Sequence, residues 1–260
     1  MRRSTAPGPA DWRAANRANW DERVPIHVAG SFYDLPGFVA GKDTLQDFEL
    51  AEVGDDGGRT LLHLQCHIGL DTLSWARRGA IVTGLDFSEP AVAAAAGLAE
   101  QIGAATARFV AADVYDAVHA LGAQTFDIVY TGLGALCRLP DMTRWAQTAA
   151  ALIAPGGFLY LAEFHPFADV LAEDGRTVEN DYFQRDPIIV DVPGTYAYPS
   201  AVTTATLTVQ WLHGIGDVVS ALTAAGLRLE FLHEHNRGHF RFPPGLRVPQ
   251  VYSLRAARVE

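Results

Sequence analysis

Lysine is almost missing from this chain: among its 260 residues, Lys42 is the only one. A catalytic lysine, or the Tyr-x-x-x-Lys pair of many dehydrogenases, would have to lie in the central part of the sequence, and none is present there. The composition therefore excludes lysine-based catalysis from that part of the chain.

Cysteine is scarce as well. Cys66 and Cys137 lie in apolar surroundings and form no metal-ligand spacing, so we expect two buried thiols of a reducing cytosol rather than a disulfide. The acidic residues also fail to cluster at the spacing of metal ligands, and no metal is expected.

The sequence also lacks clustered positive charge and long apolar runs. The formal charge is −10 with no stripe of Lys or Arg, which disfavours a nucleic-acid partner. No apolar run approaches the ~18 residues of a membrane span, and the two N-terminal arginines precede no apolar segment of a secretory signal. We expect a cytoplasmic protein without a membrane partner.

What is present is the pattern of a globular α/β protein. Apolar residues make up 49% of the chain and charged residues 19%. From Thr60 onward, short β-type runs alternate with helical patterns, which predicts parallel βαβ units and a doubly wound sheet. The predicted strands are TLLHLQ, AIVTGLDF, ATARFVAAD, FDIVYTG and GFLYLAEF, and the helices are GLDTLSWARRG, SEPAVAAAAGLAEQIG and DMTRWAQTAAALIAPGG.

The later part of the sequence has a different character. Residues 165–202 are rich in Pro, Gly, Asp and aromatics and show no clear period. The run TTATLTVQWL predicts a strand, and GIGDVVSALTAAG predicts a helix. LRLEFLHEH and QVYSLRAARV predict two further strands, which should pair antiparallel because no helix separates them.

The turn after the first predicted strand, QCHIG, is the position where open α/β sheets hold ligands. A dinucleotide needs glycines there so that backbone N–H groups can approach a pyrophosphate. Side chains at Gln65 and His67 would crowd two phosphates but could flank a smaller, zwitterionic group. The turn therefore favours a cofactor without a pyrophosphate, with Gly69 as its remaining close-approach glycine.

The next two strand ends fit an adenosine. Asp86 ends the second strand, and its two coplanar oxygens can accept both ribose hydroxyls. Asp113 ends the third strand and could accept from the adenine amine, while the N–H of Val114 reaches a ring nitrogen. Phe87 would lie against the face of the adenine.

These features together resemble a class I S-adenosylmethionine-dependent methyltransferase. The resemblance rests on Gly69, Asp86, Asp113 and the runs FDIVY and APGGFLYLAEF. It implies an α/β fold with a doubly wound, mostly parallel seven-stranded sheet and a terminal antiparallel hairpin. It also implies S-adenosylmethionine as cofactor and S-adenosylhomocysteine as product. The chain from Gly214 onward matches the helix and hairpin ending, so the resemblance covers most of the sequence beyond residue 60.

Catalytic groups are harder to predict, because methyl transfer is an in-line displacement in which positioning supplies much of the rate. A general base is needed only if the acceptor loses a proton. Glu163 and His165 lie at the carboxyl end of the fifth predicted strand and are the candidate catalytic residues, with His165 preferred as the base.

The domain organisation predicted is an N-terminal extension or lid over residues 1–55 and a methyltransferase-like domain over residues 56–260, with a substrate-side insertion at about 166–211. In the resembled family such extensions often fold over the cofactor, and Tyr33 is the residue expected to touch it. Aromatic residues in the insertion, Tyr196 among them, fit a small, partly apolar or cationic acceptor.

Two other functions remain open on the sequence. One is an NAD(P)-dependent oxidoreductase that uses Asp86 for the ribose, although the incomplete glycine pattern counts against it. The other is a protein that binds S-adenosylmethionine without turnover, which shares the same binding residues. The acceptor atom and the oligomeric state are not encoded in any pattern that we identify.

Overall fold

A computed structural model describes residues 12–172, 174–236 and 247–259. Its centre is a seven-stranded sheet in the order β3-β2-β1-β4-β5-β9-β8, beside a separate two-stranded sheet of β6 and β7. The strands are β1 (Thr60–Leu64), β2 (Ile81–Asp86), β3 (Arg108–Ala111), β4 (Phe126–Thr131), β5 (Ile153–Phe164), β6 (Ile188–Asp191), β7 (Leu207–Gln210), β8 (Leu227–His235) and β9 (Val251–Arg258).

Helices cover both faces of the large sheet. They are α1 (Trp12–Ala29), α2 (Leu35–Val39), α3 (Asp47–Val53), α4 (Leu70–Arg77), α5 (Glu89–Gln101), α6 (Ala117–Ala120), α7 (Met142–Ala151), α8 (Pro166–Asp169) and α9 (Ile215–Ala224), with short 3₁₀ turns at Val114–Asp116 and Leu136–Arg138.

The predicted fold class is confirmed. β1 to β5 are all parallel, and β9 lies antiparallel between β5 and β8. The two final strands therefore pair as predicted, and β9 is the one strand of the described sheet that runs against the others. Ser88 caps α5 as predicted, since its hydroxyl accepts the N–H of Ala91.

Alternating side chains of the strands form a core on each face. On one face, Leu62 and Leu64 of β1 pack in the same cluster as the fully buried Trp145 of α7. On the other, Leu61 joins a cluster that contains Trp75 of α4. Two buried faces explain why β1 is almost wholly apolar.

The structure departs from the sequence predictions in two segments. Residues 12–29, expected to be irregular, form α1, a helix of 18 residues with Pro25 inside it. The predicted strand TTATLTVQWL shortens to β7, which pairs with β6 outside the large sheet. β6 itself lies in the stretch that shows no period.

No helix in the described ranges is long and apolar enough to cross a membrane. The predicted division at residue 55 stays a prediction. Most of the connection between β8 and β9, residues 237–246, lies outside the described residues.

The turn from β1 into α4 is tightly packed at Gly69. This residue caps the start of α4 with φ +79°, a left-handed conformation that favours glycine. A Cβ atom there would lie 2.7 Å from the Cβ of Ala95 and 2.9 Å from the ring of Phe109. Packing against α5 and β3 therefore requires a glycine.

Replacing this glycine should destabilise the protein. We expect Gly69→Ala to lower the free energy of unfolding by about 2–4 kcal/mol, from backbone strain and overpacking together. Gly97→Ala is the matched control, because this residue of α5 has no atom within 4 Å of an added Cβ. It should raise stability by about 0.5–1 kcal/mol through helix propensity. Urea unfolding measures both, and equal effects of the two substitutions would contradict the packing argument.

Candidate active site

A cleft lies where the strand order reverses between β1 and β4. Connections from β1 and from β4 leave the sheet in opposite directions there, which opens a crevice at the carboxyl ends of the strands. The side-chain amide of Gln65 crosses the crevice and donates to the carbonyl of Ala135 at 3.0 Å.

Two adjoining cavities fill this cleft: cavity A of about 140 Å³ and cavity B of about 440 Å³. They share a wall that includes Trp20, Tyr33, His67, Arg138 and Tyr196. Of the residues predicted to bind the cofactor, cavity A is lined by Tyr33, Gln65, His67, Asp86, Phe87, Asp113 and Val114, and cavity B by Gly69. The structure thus brings all the predicted cofactor residues to one cleft.

The turn QCHIG keeps the backbone of a glycine-rich turn without its glycines. Gln65 has φ 60°, His67 has φ 50° and Gly69 has φ 79°. Left-handed backbone at two residues with bulky side chains is uncommon and costs about 1–2 kcal/mol at each. The surrounding structure must therefore hold them in place.

Asp86 is the main group that holds this turn. One oxygen accepts the N–H of His67 at 2.8 Å, and the other accepts the N–H of Ser88 at 2.9 Å. The side chain is 7% exposed, and burial raises its pKa to about 6 despite these hydrogen bonds. Each oxygen keeps one further lone pair for a ligand hydroxyl.

Asp113 has both a capping and a pairing role. One oxygen caps the 3₁₀ turn by accepting the N–H of Tyr115 at 2.9 Å, and the other lies 2.8 Å from Nε of Arg13 in α1. Asp113 is thus the N-cap of the turn at Val114–Asp116. Its position on the wall of cavity A, beside Val114, keeps it in reach of a ligand.

Helix α1 forms the roof of cavity A. Trp12, Asn16 and Trp20 line the cavity from one helix face. The hydroxyl of Ser88 donates to Asp21 of α1 at 2.6 Å, which fixes the roof to the start of α5. The four-residue spacing of Trp12, Asn16 and Trp20 is the sequence signal from which this helix face could have been found.

A cluster of neutral rings lies at the boundary of the two cavities. Nδ1 of His27 is 3.3 Å from Nε2 of His67, and burial lowers the pKa of His27 to about 4 and that of His67 to about 3. The hydroxyls of Tyr33 and Tyr196 are hydrogen-bonded to each other. Both imidazoles are therefore uncharged at neutral pH and able to accept a proton.

The two predicted catalytic residues have structural partners instead. Glu163 accepts the N–H groups of Gly134, Leu136 and Phe164 at 2.6–2.8 Å, and burial raises its pKa to about 7. Its carboxylate thus holds the loop after β4 rather than facing cavity A or B.

His165 lies away from cavities A and B, unlike the position predicted for a catalytic base. Nδ1 accepts the N–H of Phe167 at 3.0 Å and caps α8, and Nε2 lies 2.8 Å from Glu234 of β8. The residue is absent from the walls of both cavities. Both ring nitrogens of His165 are thus engaged, with Phe167 and with Glu234, so we do not propose it as the base.

A third cavity, cavity C of about 290 Å³, shares Cys137, Phe164 and Asp169 with cavity B. Of the aromatics expected in the insertion wall, Trp211 lines cavity C and Tyr196 lines cavities A and B.

Sequence reasoning missed Arg138, an isolated arginine in the loop after β4 that carries no motif. Among the described residues, no group of three or more His, Cys, Asp or Glu side chains has the arrangement of a metal site.

The role of Glu163 leads to a stability prediction. Glu163→Ala should lower the free energy of unfolding by about 2–4 kcal/mol, because two N–H groups of the loop and that of Phe164 lose their acceptor. Glu100→Ala removes an exposed acid of α5 and should change stability by less than about 0.5 kcal/mol. Chemical denaturation compares the two, and a Glu163→Ala protein as stable as the control would remove Glu163 from the loop support.

Comparisons with known proteins agree with this geometry. A family model described as a methyltransferase domain matches residues 62–159. The ubiquinone biosynthesis O-methyltransferase of Coxiella burnetii is 36% identical over 105 residues, which are 40% of this chain and 43% of that protein. The chain thus aligns with less than half the length of the curated relatives it matches.

Solved structures extend the similarity to nearly the whole chain. The CcbJ methyltransferase of Streptomyces caelestis superposes with a TM-score of 0.64 at 17% identity, covering 94% of this chain and 99% of that one. Magnesium protoporphyrin IX methyltransferase of Synechocystis PCC 6803, with bound SAH, gives a TM-score of 0.54 at 18% identity over 92% and 100% of the two chains. The chain thus contains a segment similar to a methyltransferase domain and has the fold of class I S-adenosylmethionine-dependent methyltransferases.

Proposed function

We propose that this protein transfers a methyl group from S-adenosylmethionine to a small molecule. The observation that carries the proposal is the convergence of Gln65, His67, Asp86, Phe87 and Val114 on cavity A. These residues come from the ends of three strands, and each has the chemistry expected for one part of the cofactor.

The adenosine half of the cofactor fits cavity A. Asp86 would accept the ribose hydroxyls with the lone pairs that His67 and Ser88 leave unused. Phe87 and the buried Val114 would lie against the adenine, and Asp113 would accept from its amine. Arg17 of the roof lies 5.8 Å from the ring centroid of Phe87 and limits how far that ring can move.

The methionine half fits the boundary between the cavities. The left-handed turn directs the backbone at Gln65 and His67 toward the cleft as glycines would, and Tyr33 closes the cleft from above. Gln65 is held by Ala135, and its Oε1 is buried without a partner, which leaves an acceptor for an ammonium group.

The cofactor itself supplies a methyl group already activated by a sulfonium. The chain would position the acceptor in cavity B and exclude water with the aromatic wall of Trp20, Tyr33 and Tyr196. Where the acceptor must lose a proton, neutral His67 lines both cavities and could accept it, but burial lowers its pKa to about 3 and makes it a weak base.

Calorimetric titration with S-adenosylmethionine, S-adenosylhomocysteine and NAD in parallel tests this proposal. We expect micromolar binding of the first two and none of NAD. Asp86→Ala should weaken binding of both sulfur ligands by about 1–3 kcal/mol, because ribose hydroxyls lose a buried acceptor.

Asp127→Ala is the matched control for that variant. Asp127 also accepts a backbone N–H, that of Thr60 at 2.8 Å, but near the amino end of β4, away from the cleft. It should leave cofactor affinity unchanged. Binding of NAD alone would favour the oxidoreductase alternative, and binding without turnover across an acceptor panel would favour a non-catalytic cofactor-binding protein.

The pKa of Asp86 predicts a pH dependence of binding. Ribose hydroxyls donate to the charged carboxylate, so the ligand favours the deprotonated form. Because the pKa is raised to about 6, affinity for S-adenosylhomocysteine should be constant above pH 7 and fall by up to about tenfold per unit below pH 6. His27 and His67 stay neutral over that range. Titrations from pH 5 to pH 8 measure the profile, and a flat profile would show that Asp86 does not contact the ribose.

The predictions of a cytoplasmic location and of no nucleic-acid partner stay predictions.

A further inference from the structure

Two arginine side chains lie against Trp20 beside the cleft. The guanidinium carbon of Arg23, in α1, is 5.4 Å from the Trp20 ring centroid, and that of Arg138, after β4, is 5.7 Å from it. Arg138 lines cavities A and B, so one of the two cations faces the space where methyl transfer would take place.

Neither arginine is neutralised within the part of the chain that the structure describes. Nε of Arg23 and both Nε and Nη1 of Arg138 are buried without a hydrogen-bond partner. None of the ion pairs found among the described residues includes either side chain. Four carboxylates line the same cavities as Arg138: Asp113 pairs with Arg13, Asp71 accepts from Thr44, Asp86 accepts two backbone N–H groups, and Asp169 lies on the wall of cavity B.

This arrangement costs stability in the absence of a ligand. Arg23 is 9% exposed, and burial together with the charge of Arg138 lowers its pKa to about 10, so it remains charged at neutral pH. A buried cation without a counter-ion is destabilising. Unpaired guanidinium groups in a cleft are therefore expected where a ligand supplies the negative charge.

We infer that Arg23 and Arg138 form a binding site for an anionic group, a carboxylate or a phosphate, on the methyl acceptor. This inference rests on the proposed function and names its substrate class: a small acid whose apolar part packs on Trp20, Tyr33 and Tyr196. The planar, multiply donating guanidinium of arginine matches both anions. A chain of net charge −10 otherwise repels such molecules, so the local pair of cations also supplies selectivity.

The cofactor carries a carboxylate of its own, which is the other source of the same chemistry. That carboxylate arrives with an ammonium and a sulfonium, so the cofactor adds one net positive charge to the cleft. The two guanidinium groups also carry more N–H donors than one cofactor carboxylate can accept. An anionic acceptor would take up the remaining donors, so we assign the site to the acceptor.

The test measures binding of simple charged probes to the protein saturated with S-adenosylhomocysteine. Benzoate, phenyl phosphate and benzylammonium share one ring and differ in charge, and each is titrated into wild type, Arg138→Gln, Arg138→Lys and Arg228→Gln. The last variant removes an arginine of β8 whose side chain is 68% exposed, as a control for charge alone. Arg23→Gln replaces Arg138→Gln if the latter does not fold.

We expect at least one anion to bind wild type, to bind Arg138→Gln at least tenfold more weakly, and to regain part of its affinity in Arg138→Lys. Benzylammonium should not bind, Arg228→Gln should match wild type, and Arg138→Gln should unfold at the same temperature as wild type or higher, since an unpaired buried cation is removed.

Three results would overturn the inference. The first is equal or tighter binding of benzylammonium, and the second is unchanged anion binding in Arg138→Gln. The third is a tenfold loss of S-adenosylhomocysteine affinity in Arg138→Gln with anion binding intact, which would assign the arginines to the cofactor. If wild type binds no S-adenosylhomocysteine, the proposed function fails instead. Titration of the same anions into the cofactor-free protein then shows separately whether the two arginines bind an anion.

Discussion

The carboxylate of Asp86 connects the segments from which the cleft is built. It accepts one N–H from the turn after β1 and one from the start of α5, and Ser88 at that start donates to Asp21 in the roof helix. Hydrogen bonds to a buried carboxylate are stronger than those between neutral groups. This connection explains how Gln65 and His67 keep left-handed backbone that is normally left to glycine, because the turn cannot relax without breaking a charge-assisted hydrogen bond.

Strand ends were the part of the site that the sequence could predict. Parallel strands place their carboxyl ends on one edge, so Gln65, Asp86 and Asp113 had to meet once the order of strands and helices was recognised. Beyond the strand end, the direction in which a side chain points depends instead on the residues that surround it in the fold. Glu163 accepts two N–H groups of the loop after β4, and His165 lies against Glu234, contacts that no spacing along the chain encodes.

The spacing of Trp12, Asn16 and Trp20 indicates a helix face, but the position of the roof helix could not be predicted, for a related reason. α1 contains Pro25 and many polar residues, and its conformation depends on partners distant in sequence. Asn16 exchanges two hydrogen bonds of 2.8 Å with the backbone of Val209, 193 residues away. Likewise β6 and β7 are four residues each, too short for a period, and are stabilised by pairing with one another and by packing of β7 against α1.

The roof helix is fastened on both flanks. On one side it is held by Arg13 to Asp113 and by Asp21 to Ser88, and on the other by Asn16 to Val209 and by Glu22 to the N–H of Thr204. If a ligand beneath α1 leaves by movement of this helix, contacts on two separate surfaces would have to break. Its residence time would then depend on the helix as well as on its own contacts.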